Sequence, residues 1–181
     1  MTSRGCPYRC GYCHNMFGHT FRPHAPERVV SELATLVHEH GVREIHFWDD
    51  VFNLDRDRTL AVCEGIVRAG LDIVLAFPNG LRIERMDEEV LDALIRAGMR
   101  RISYGIESGD PDTLRAMRRS GDLEAVRRIV RMTARRRVLT KGLFILGAPG
   151  ETAAQMRNTV ELALSLPLHY VSFNRFIPLP S

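Results

Sequence analysis

Short apolar runs and amphipathic stretches follow each other along the whole chain. Short apolar runs bounded by turn residues are typical of buried strands, whereas apolar positions spaced by three and four residues are typical of helices. The first pattern predicts strands in this order: a short one just before Cys6, then Glu44–Trp48, Ile73–Phe77, Arg101–Gly105, Thr140–Leu146 and Tyr170–Phe176.

The helical pattern fills the intervals between these strands. It predicts helices over Glu27–Glu39, Arg56–Arg68, Glu88–Ala97, Pro111–Met117 continuing in Leu123–Arg136, and Thr152–Ser165. Glycines follow three of these helices, where a left-handed terminating residue is expected. They are Gly41, Gly70 and Gly98.

Successive strands begin at intervals of roughly 30 residues, the size of a strand–helix–strand unit. Such alternation predicts an α/β protein with a parallel sheet and helices outside it. A closed eight-unit barrel usually needs about 250 residues, whereas this chain of 181 has room for six strands. Periodicity alone leaves both a partial barrel and a doubly wound sheet open.

Bulk composition narrows the class of protein. With 181 residues and 45% hydrophobic content, the chain can bury one sizeable core and is expected to form one domain. A net charge of +3 is too small to argue for nucleic-acid binding. No apolar run is long enough to span a bilayer, and no signal-peptide layout precedes Cys6. The cysteines are then expected to be reduced thiols in a cytoplasmic protein.

Three of the cysteines, Cys6, Cys10 and Cys13, lie close together in a C-x3-C-x2-C pattern. Three thiolates are one fewer than a closed four-ligand site needs, and they suit an iron–sulfur cluster with one iron left open for a small molecule. A zinc site completed by a nearby histidine is the alternative, but only half of the usual zinc pattern is present. Cys63 lies among apolar helix positions, which favours a buried thiol.

Polar residues follow almost every predicted strand. Asp49-Asp50, Asn79-Gly80, Glu107-Ser108 and Asn174 all lie at or just after strand ends. Each could by itself be a turn or a cap. Since parallel α/β folds place their sites at the carboxyl ends of strands, their joint occurrence predicts a site on that edge.

The cysteine loop, Gly5–His14, resembles that of the radical S-adenosylmethionine (radical SAM) enzymes. The resemblance implies an open partial (β/α)6 TIM-like barrel, truncated at both ends. It also implies that Cys6, Cys10 and Cys13 are the metal ligands and catalytic centre, holding a [4Fe–4S] cluster whose fourth iron binds SAM. Reductive cleavage of SAM would give a 5′-deoxyadenosyl radical that abstracts hydrogen from a substrate.

The same resemblance implies SAM contacts along the strand ends. Tyr12 matches an aromatic position whose backbone contacts adenine. Glu107 and Ser108, within Gly-Ile-Glu-Ser-Gly, look like positions that bind the ribose and the methionyl part. Ile145 and Gly147 resemble the segment that packs on adenine.

Further contacts come from three other regions. Asp49 and Asp50 lie where many members carry a Gly-Gly-Glu motif for the SAM amino group, and the resemblance leaves open which of the two takes that role. Arg119 is similar to a basic position that pairs with the SAM carboxylate. Asn79, at its strand end, is assigned to the same cofactor site.

Three segments resemble the subgroup with an N-terminal cobalamin-binding domain, which includes methyltransferases and ring-forming enzymes. They are Thr2–Cys10, Phe47–Phe52 and Gly147–Thr152. Residues 1–181 are then expected to be the core domain of a longer protein whose cobalamin-binding and C-terminal regions lie outside this sequence. Cobalamin would be a cofactor of that parent. A small-molecule substrate and a flavodoxin- or ferredoxin-like electron donor are the expected partners.

An arginine-rich stretch suggests a second hypothesis. Arg127, Arg128, Arg131 and 135–137 could contact RNA, as in a transfer-RNA-modifying radical SAM methylthiotransferase or an RNA-binding protein. No aromatic stacking residues are interleaved, which favours a solvated helix surface. A third hypothesis is a non-catalytic remnant that keeps the fold and a structural metal.

Overall fold

The computed structural model of the chain describes residues 1–14 and 16–178. Strands and helices alternate along it, with one short 3-10 helix at Ile83–Arg85. The strands are β1 (Ser3–Arg4), β2 (Arg22–Pro23), β3 (Glu44–His46), β4 (Val74–Leu81), β5 (Met99–Glu107), β6 (Leu139–Leu146) and β7 (Tyr170–Arg175). The helices are α1 (Pro26–His38), α2 (Arg56–Arg68), α3 (Glu88–Arg96), α4 (Pro111–Ala116), α5 (Leu123–Ala134) and α6 (Ala153–Ser165).

The main sheet has five strands in the order β3-β4-β5-β6-β7, and every neighbouring pair is parallel. Strand order therefore follows chain order, and a helical segment connects each strand to the next. This arrangement places all the carboxyl ends of the strands on one edge. The parallel α/β architecture predicted from the alternating pattern is confirmed.

The segment before Cys6 differs from the strand expected there. β1 is only two residues long and pairs antiparallel with β2, as a separate two-stranded sheet. Gly5, with φ of +83°, turns the chain immediately after Arg4. The described residues therefore build five strands of the parallel sheet, and the cysteine loop is attached to it by side-chain contacts.

Two strands extend further than their apolar runs indicated. β4 continues beyond Phe77 through Asn79 and Gly80 to Leu81, and β5 continues to Glu107. The Asn79-Gly80 pair is therefore part of a strand and not a simple turn. This extension carries polar side chains to the carboxyl edge of the sheet.

The core lies between the sheet and the helices that cover it. Near the carboxyl end of β3, the rings of Phe47, Phe52 and Phe77 pack together with centroids 4.9 to 5.2 Å apart, and those of Phe47 and Phe77 are stacked. Tyr104 of β5 is fully buried, and its hydroxyl is hydrogen-bonded to Thr133 of α5 at 2.8 Å. Among the described residues, no helix is long and apolar enough to cross a bilayer.

Candidate active site

The cysteine loop lies over the carboxyl edge of the sheet and is held there by two of its backbone amides. The Gly5 amide donates to Asp50 Oδ2 at 2.9 Å, directly before the first cysteine. The Gly11 amide donates to the carbonyl of Met117 at 3.0 Å, between the second and third cysteines. These bonds hold the loop to the side chain of Asp50, in the segment after β3, and to the end of α4.

A cavity of about 920 Å³ opens between this loop and the sheet. All three loop cysteines line it, together with residues from the carboxyl ends of four strands. Those strand residues include Asn79, Glu107, Ile145 and Asn174. The cavity therefore lies where parallel α/β folds place their sites.

The two adjacent aspartates have different surroundings. Asp49 is 3% exposed and accepts hydrogen bonds from the Thr2 amide, the Thr2 hydroxyl and the Ser3 hydroxyl. Asp50 lines the cavity and holds Gly5. Of the two candidates, only Asp50 can face a cavity ligand, and Asp49 anchors the chain that leads into the cysteine loop.

Arg58 of α2 completes this anchor. Its guanidinium donates to the carbonyl and the hydroxyl of Thr2 and to the carbonyl of His24. Burial lowers the pKa of Arg58, and the nearby carboxylate of Asp49 opposes that effect. The start of the loop is therefore held by a buried network of charged and polar groups.

Glu107 is the most unusual side chain in the cavity. Its φ is +70°, a left-handed conformation that a non-glycine residue rarely adopts, and it follows a register shift between β5 and β6. The carboxylate accepts a hydrogen bond from the Tyr12 hydroxyl at 2.9 Å. Burial raises the pKa of Glu107, although Arg119 and the bond from Tyr12 favour the charged form.

Arg119 lies beside this pair and retains an unused donor. Its side chain is 7% exposed, and its guanidinium donates to the carbonyl of Gly105. Within the described part of the chain, its buried Nε has no hydrogen-bond partner. A buried donor without a partner in a cavity wall fits an acidic or carbonyl oxygen of a bound molecule.

Besides Asp49, two more residues assigned to the cofactor by resemblance lie outside the cavity lining. Ser108 is fully buried, and its hydroxyl pairs with Thr159 of α6 at 3.0 Å. The Gly147 amide donates to Glu151, so it closes the turn into α6. The left-handed backbone of Glu107 precedes Ser108, whose side chain lies against α6 and not in the cavity.

The structure also places residues in the cavity that the sequence did not single out as cofactor contacts. Tyr8, between the first two cysteines, packs under the guanidinium of Arg82, whose central carbon is 3.6 Å from the ring centroid. Arg82 lies just beyond β4, and its Nη1 is 3.8 Å from Cys10 Sγ. The only sequence signals were an aromatic residue within the cysteine loop and an arginine after a strand end.

The donor set fits an iron–sulfur cluster. Burial raises the pKa of Cys6, and burial together with the neighbouring thiols raises the pKa of Cys13 to about 11. Thiolates at these positions therefore need a compensating metal charge. In the described ranges, no three His, Cys, Asp or Glu side chains converge to hold a single ion. A cluster binds each thiolate through a different iron, so such convergence is not required.

Two members of the arginine-rich stretch contact neighbouring helices, and the other four are exposed. Arg136 forms ion pairs with Asp92 and Glu88 of α3, and Arg127 donates to Ser165 of α6. These two arginines connect α5 to neighbouring helices. Cys63 is buried in the core, as predicted.

Parallel strands that present three loop cysteines and several polar side chains to one cavity define a cofactor-dependent α/β enzyme of the partial-barrel class. A family model described as the radical SAM superfamily matches residues 1–163. The chain belongs to this superfamily, whose members use a [4Fe–4S] cluster and SAM.

Particular relatives place the chain near cobalamin-dependent members. It is 33% identical over 99% of its length to an uncharacterized methyltransferase of Pyrococcus horikoshii, covering 39% of that protein. It is 25% identical over 98% of its length to the anaerobic magnesium-protoporphyrin IX monomethyl ester cyclase of Cereibacter sphaeroides, covering 30% of it. The structure of the radical SAM methyltransferase TsrM from Kitasatospora setae, with cobalamin and a [4Fe–4S] cluster bound, matches with a TM-score of 0.88 at 26% identity, over 96% of this chain and 35% of TsrM.

These matches bear out the radical SAM assignment, the partial-barrel fold and the cobalamin-dependent subgroup. They favour the cobalamin-dependent radical SAM hypothesis over the transfer-RNA-modifying or RNA-binding alternative. The chain spans between 30% and 39% of the length of these relatives.

Proposed function

We propose that this chain is the radical-generating core of a cobalamin-dependent methyltransferase or ring-forming enzyme. The observation that carries the proposal is that Cys6, Cys10 and Cys13 share one large cavity with the carboxyl ends of four strands. Three thiolates from one loop suit a cluster with an open iron. The adjacent volume then accommodates the molecule that completes its coordination.

The residues of the cavity have distinct proposed roles. The three cysteines hold the cluster, and Asp50 presents a carboxylate to the amino group of SAM. Arg119, with its unused buried Nε, pairs with the SAM carboxylate. Ile145 and the ring of Tyr12 offer an apolar surface to adenine. Asn79 and Glu107 offer polar groups to the rest of the nucleoside.

When bound, the cluster supplies one electron for cleavage of SAM to a 5′-deoxyadenosyl radical. The chain's own residues orient the two cofactors and shield them. Glu107 and Tyr12 are joined by a hydrogen bond across the cavity wall, so they hold the loop close to β5. Asp49 and Arg58 hold the entry to the loop and do not touch SAM.

The remaining parts of the proposal concern the parent protein. We place residues 1–181 as its catalytic core domain, with cobalamin bound by a segment outside this sequence. A small molecule is its substrate, and a flavodoxin- or ferredoxin-like protein in the cytoplasm supplies the electron. The methyltransferase and cyclase relatives support the small-molecule substrate.

Anaerobic reconstitution with iron and sulfide tests the cluster assignment. About four irons and four sulfides per chain are expected for a [4Fe–4S] centre, with an electron paramagnetic resonance spectrum that changes when SAM is added. Replacing Cys6, Cys10 or Cys13 singly by alanine should abolish this cluster. Cys63→Ala is the matched control and should retain it, because Cys63 lies in the core.

One tightly bound zinc with no sulfide would overturn the proposal. An intact cluster whose spectrum ignores SAM would retain the metal site and exclude the SAM role. An intact, SAM-responsive cluster without SAM cleavage under dithionite would indicate the non-catalytic remnant.

A further inference from the structure

The backbone of Arg82, just after the end of β4, is held by a side chain from another segment. The side chain of Asn53, which is 1% exposed, accepts from the Arg82 amide at 3.0 Å and donates to the Arg82 carbonyl at 2.9 Å. Both backbone groups of Arg82 are therefore paired with one buried amide. The direction in which its side chain leaves the sheet is set by this pairing.

The guanidinium of Arg82 is also held on two sides. Its Nε and Nη2 donate to the two carboxylate oxygens of Glu84 at 3.3 and 3.2 Å. One face of the group lies over the ring of Tyr8, whose hydroxyl accepts from Arg85. Two-point pairing with a carboxylate and stacking on a ring fix the plane of a guanidinium.

These contacts leave Nη1 directed at Cys10. The Nη1–Sγ distance is 3.8 Å, and Arg82 is 13% exposed. The contact joins residues far apart in sequence, so the fold and not the loop creates it. An oriented cationic donor beside a cysteine sulfur is unlike the general positive field of a surface arginine.

We propose that Arg82 tunes the reduction potential of the cluster by donating a hydrogen bond to the Cys10 sulfur, with Glu84 and Tyr8 setting its orientation. This inference rests on the proposed function, since it takes Cys10 as a cluster ligand. Hydrogen bonds to ligand sulfurs and nearby charge are principal determinants of iron–sulfur potentials. Reduction adds negative charge to the cluster and its thiolates, so a fixed cationic donor stabilises the reduced form.

Glu84 acts in the opposite sense. Its carboxylate neutralises part of the Arg82 charge while it orients the guanidinium. The potential set by the protein is therefore a balance between one donor and its partner. Removal of each should shift the potential in opposite directions.

The test is a redox titration of the reconstituted protein, followed by electron paramagnetic resonance without substrate. Arg82→Gln should lower the equilibrium constant for one-electron reduction roughly tenfold, or about 59 mV in midpoint potential. Glu84→Gln should raise the potential. Arg118→Gln removes the same charge from the wall of the same cavity. Among the described contacts Arg118 bonds neither Cys10 nor Tyr8, so the potential of this variant should stay close to that of the parent.

Each outcome decides a different point. If the parent protein takes up no cluster, the proposed function fails. If clusters form but Arg82→Gln leaves the potential unchanged, or Arg118→Gln shifts it equally, the direct donor role is overturned while the cluster assignment stands. If Arg82→Gln cannot hold a cluster, the potential of Glu84→Gln is the deciding measurement. A Glu84→Gln potential equal to or below that of the parent rejects the inference.

Discussion

Single residues in the cavity are constrained by neighbours distant in sequence. Glu107 combines a left-handed backbone with a buried carboxylate that accepts from Tyr12. Gly105 makes this possible, because a Cβ there would lie 2.6 Å from Glu107 Oε1. A strained backbone at a buried ionisable residue is common at functional sites.

The raised pKa of Glu107 predicts a pH dependence of stability. Burial makes the folded protein bind this proton more tightly than the unfolded chain does. The favourable contribution of Glu107 to the unfolding free energy is complete below its unfolded pKa of about 4.3. It is lost as the pH rises through the pKa of Glu107 in the folded protein. Glu107→Gln should therefore gain stability relative to the parent as the pH rises. Urea unfolding of the metal-free parent and variant at a series of pH values measures this difference in unfolding free energy.

Glu44→Gln provides a control of opposite sign. A hydrogen bond from His46 lowers the pKa of Glu44, which is exposed, so its contribution is present above the unfolded pKa and is lost as the pH falls. A constant difference in unfolding free energy between Glu107→Gln and the parent at every pH would contradict the burial argument.

At the level of elements, the junctions between helices and strands depend on left-handed glycines. Gly41 and Gly98 follow α1 and α3 with φ of +66° and +105°. Gly98 also packs closely, because a Cβ there would lie 2.1 Å from the carbonyl oxygen of Ile73. The predicted helix-terminating role is confirmed at both positions. Gly98 differs from Gly41 in its close contact with Ile73.

Alanine substitution should separate these two requirements. Gly41→Ala should cost about 1 kcal/mol of unfolding free energy, the penalty of left-handed backbone alone. Gly98→Ala should cost about 3 kcal/mol or more, since strain and a backbone clash add together. Urea unfolding of both variants measures the difference. Equal losses of unfolding free energy in the two variants would show that the start of β5 shifts to relieve the clash without cost.

On the scale of the whole molecule, the outer strand β7 exposes apolar side chains. β7 pairs only with β6 among the described strands, and its Tyr170, Val171 and Phe173 are 59%, 47% and 40% exposed. Exposed strand edges with apolar side chains favour association with other chains. β7 therefore presents several exposed apolar side chains on one strand, whereas others, such as Met16 and Leu36, lie elsewhere on the surface.

Self-association of the 181-residue chain should depend on this edge. Val171→Lys should weaken concentration-dependent association, measured by analytical ultracentrifugation, without loss of unfolding free energy. Val67→Lys is the matched control, because Val67 is 50% exposed but lies on α2. An equal effect of both variants would attribute association to net charge, and a parent that stays monomeric would refute the prediction.

The amino-acid sequence determined those features that depend on local pattern. Residue periodicity and helix-terminating glycines predicted the element order, and cysteine spacing predicted the ligand loop, because these signals act over a few residues. The parallel topology followed, since alternating strands and helices leave few other solutions.

Tertiary structure alone decided which side chains meet. Adjacent Asp49 and Asp50 are equivalent in sequence, but one holds Thr2 and the other faces the cavity. Ser108 next to Glu107 turns toward α6, and Arg82 reaches Cys10 across 72 positions. Such contacts depend on register, backbone reversal and packing between distant segments, which no local pattern encodes.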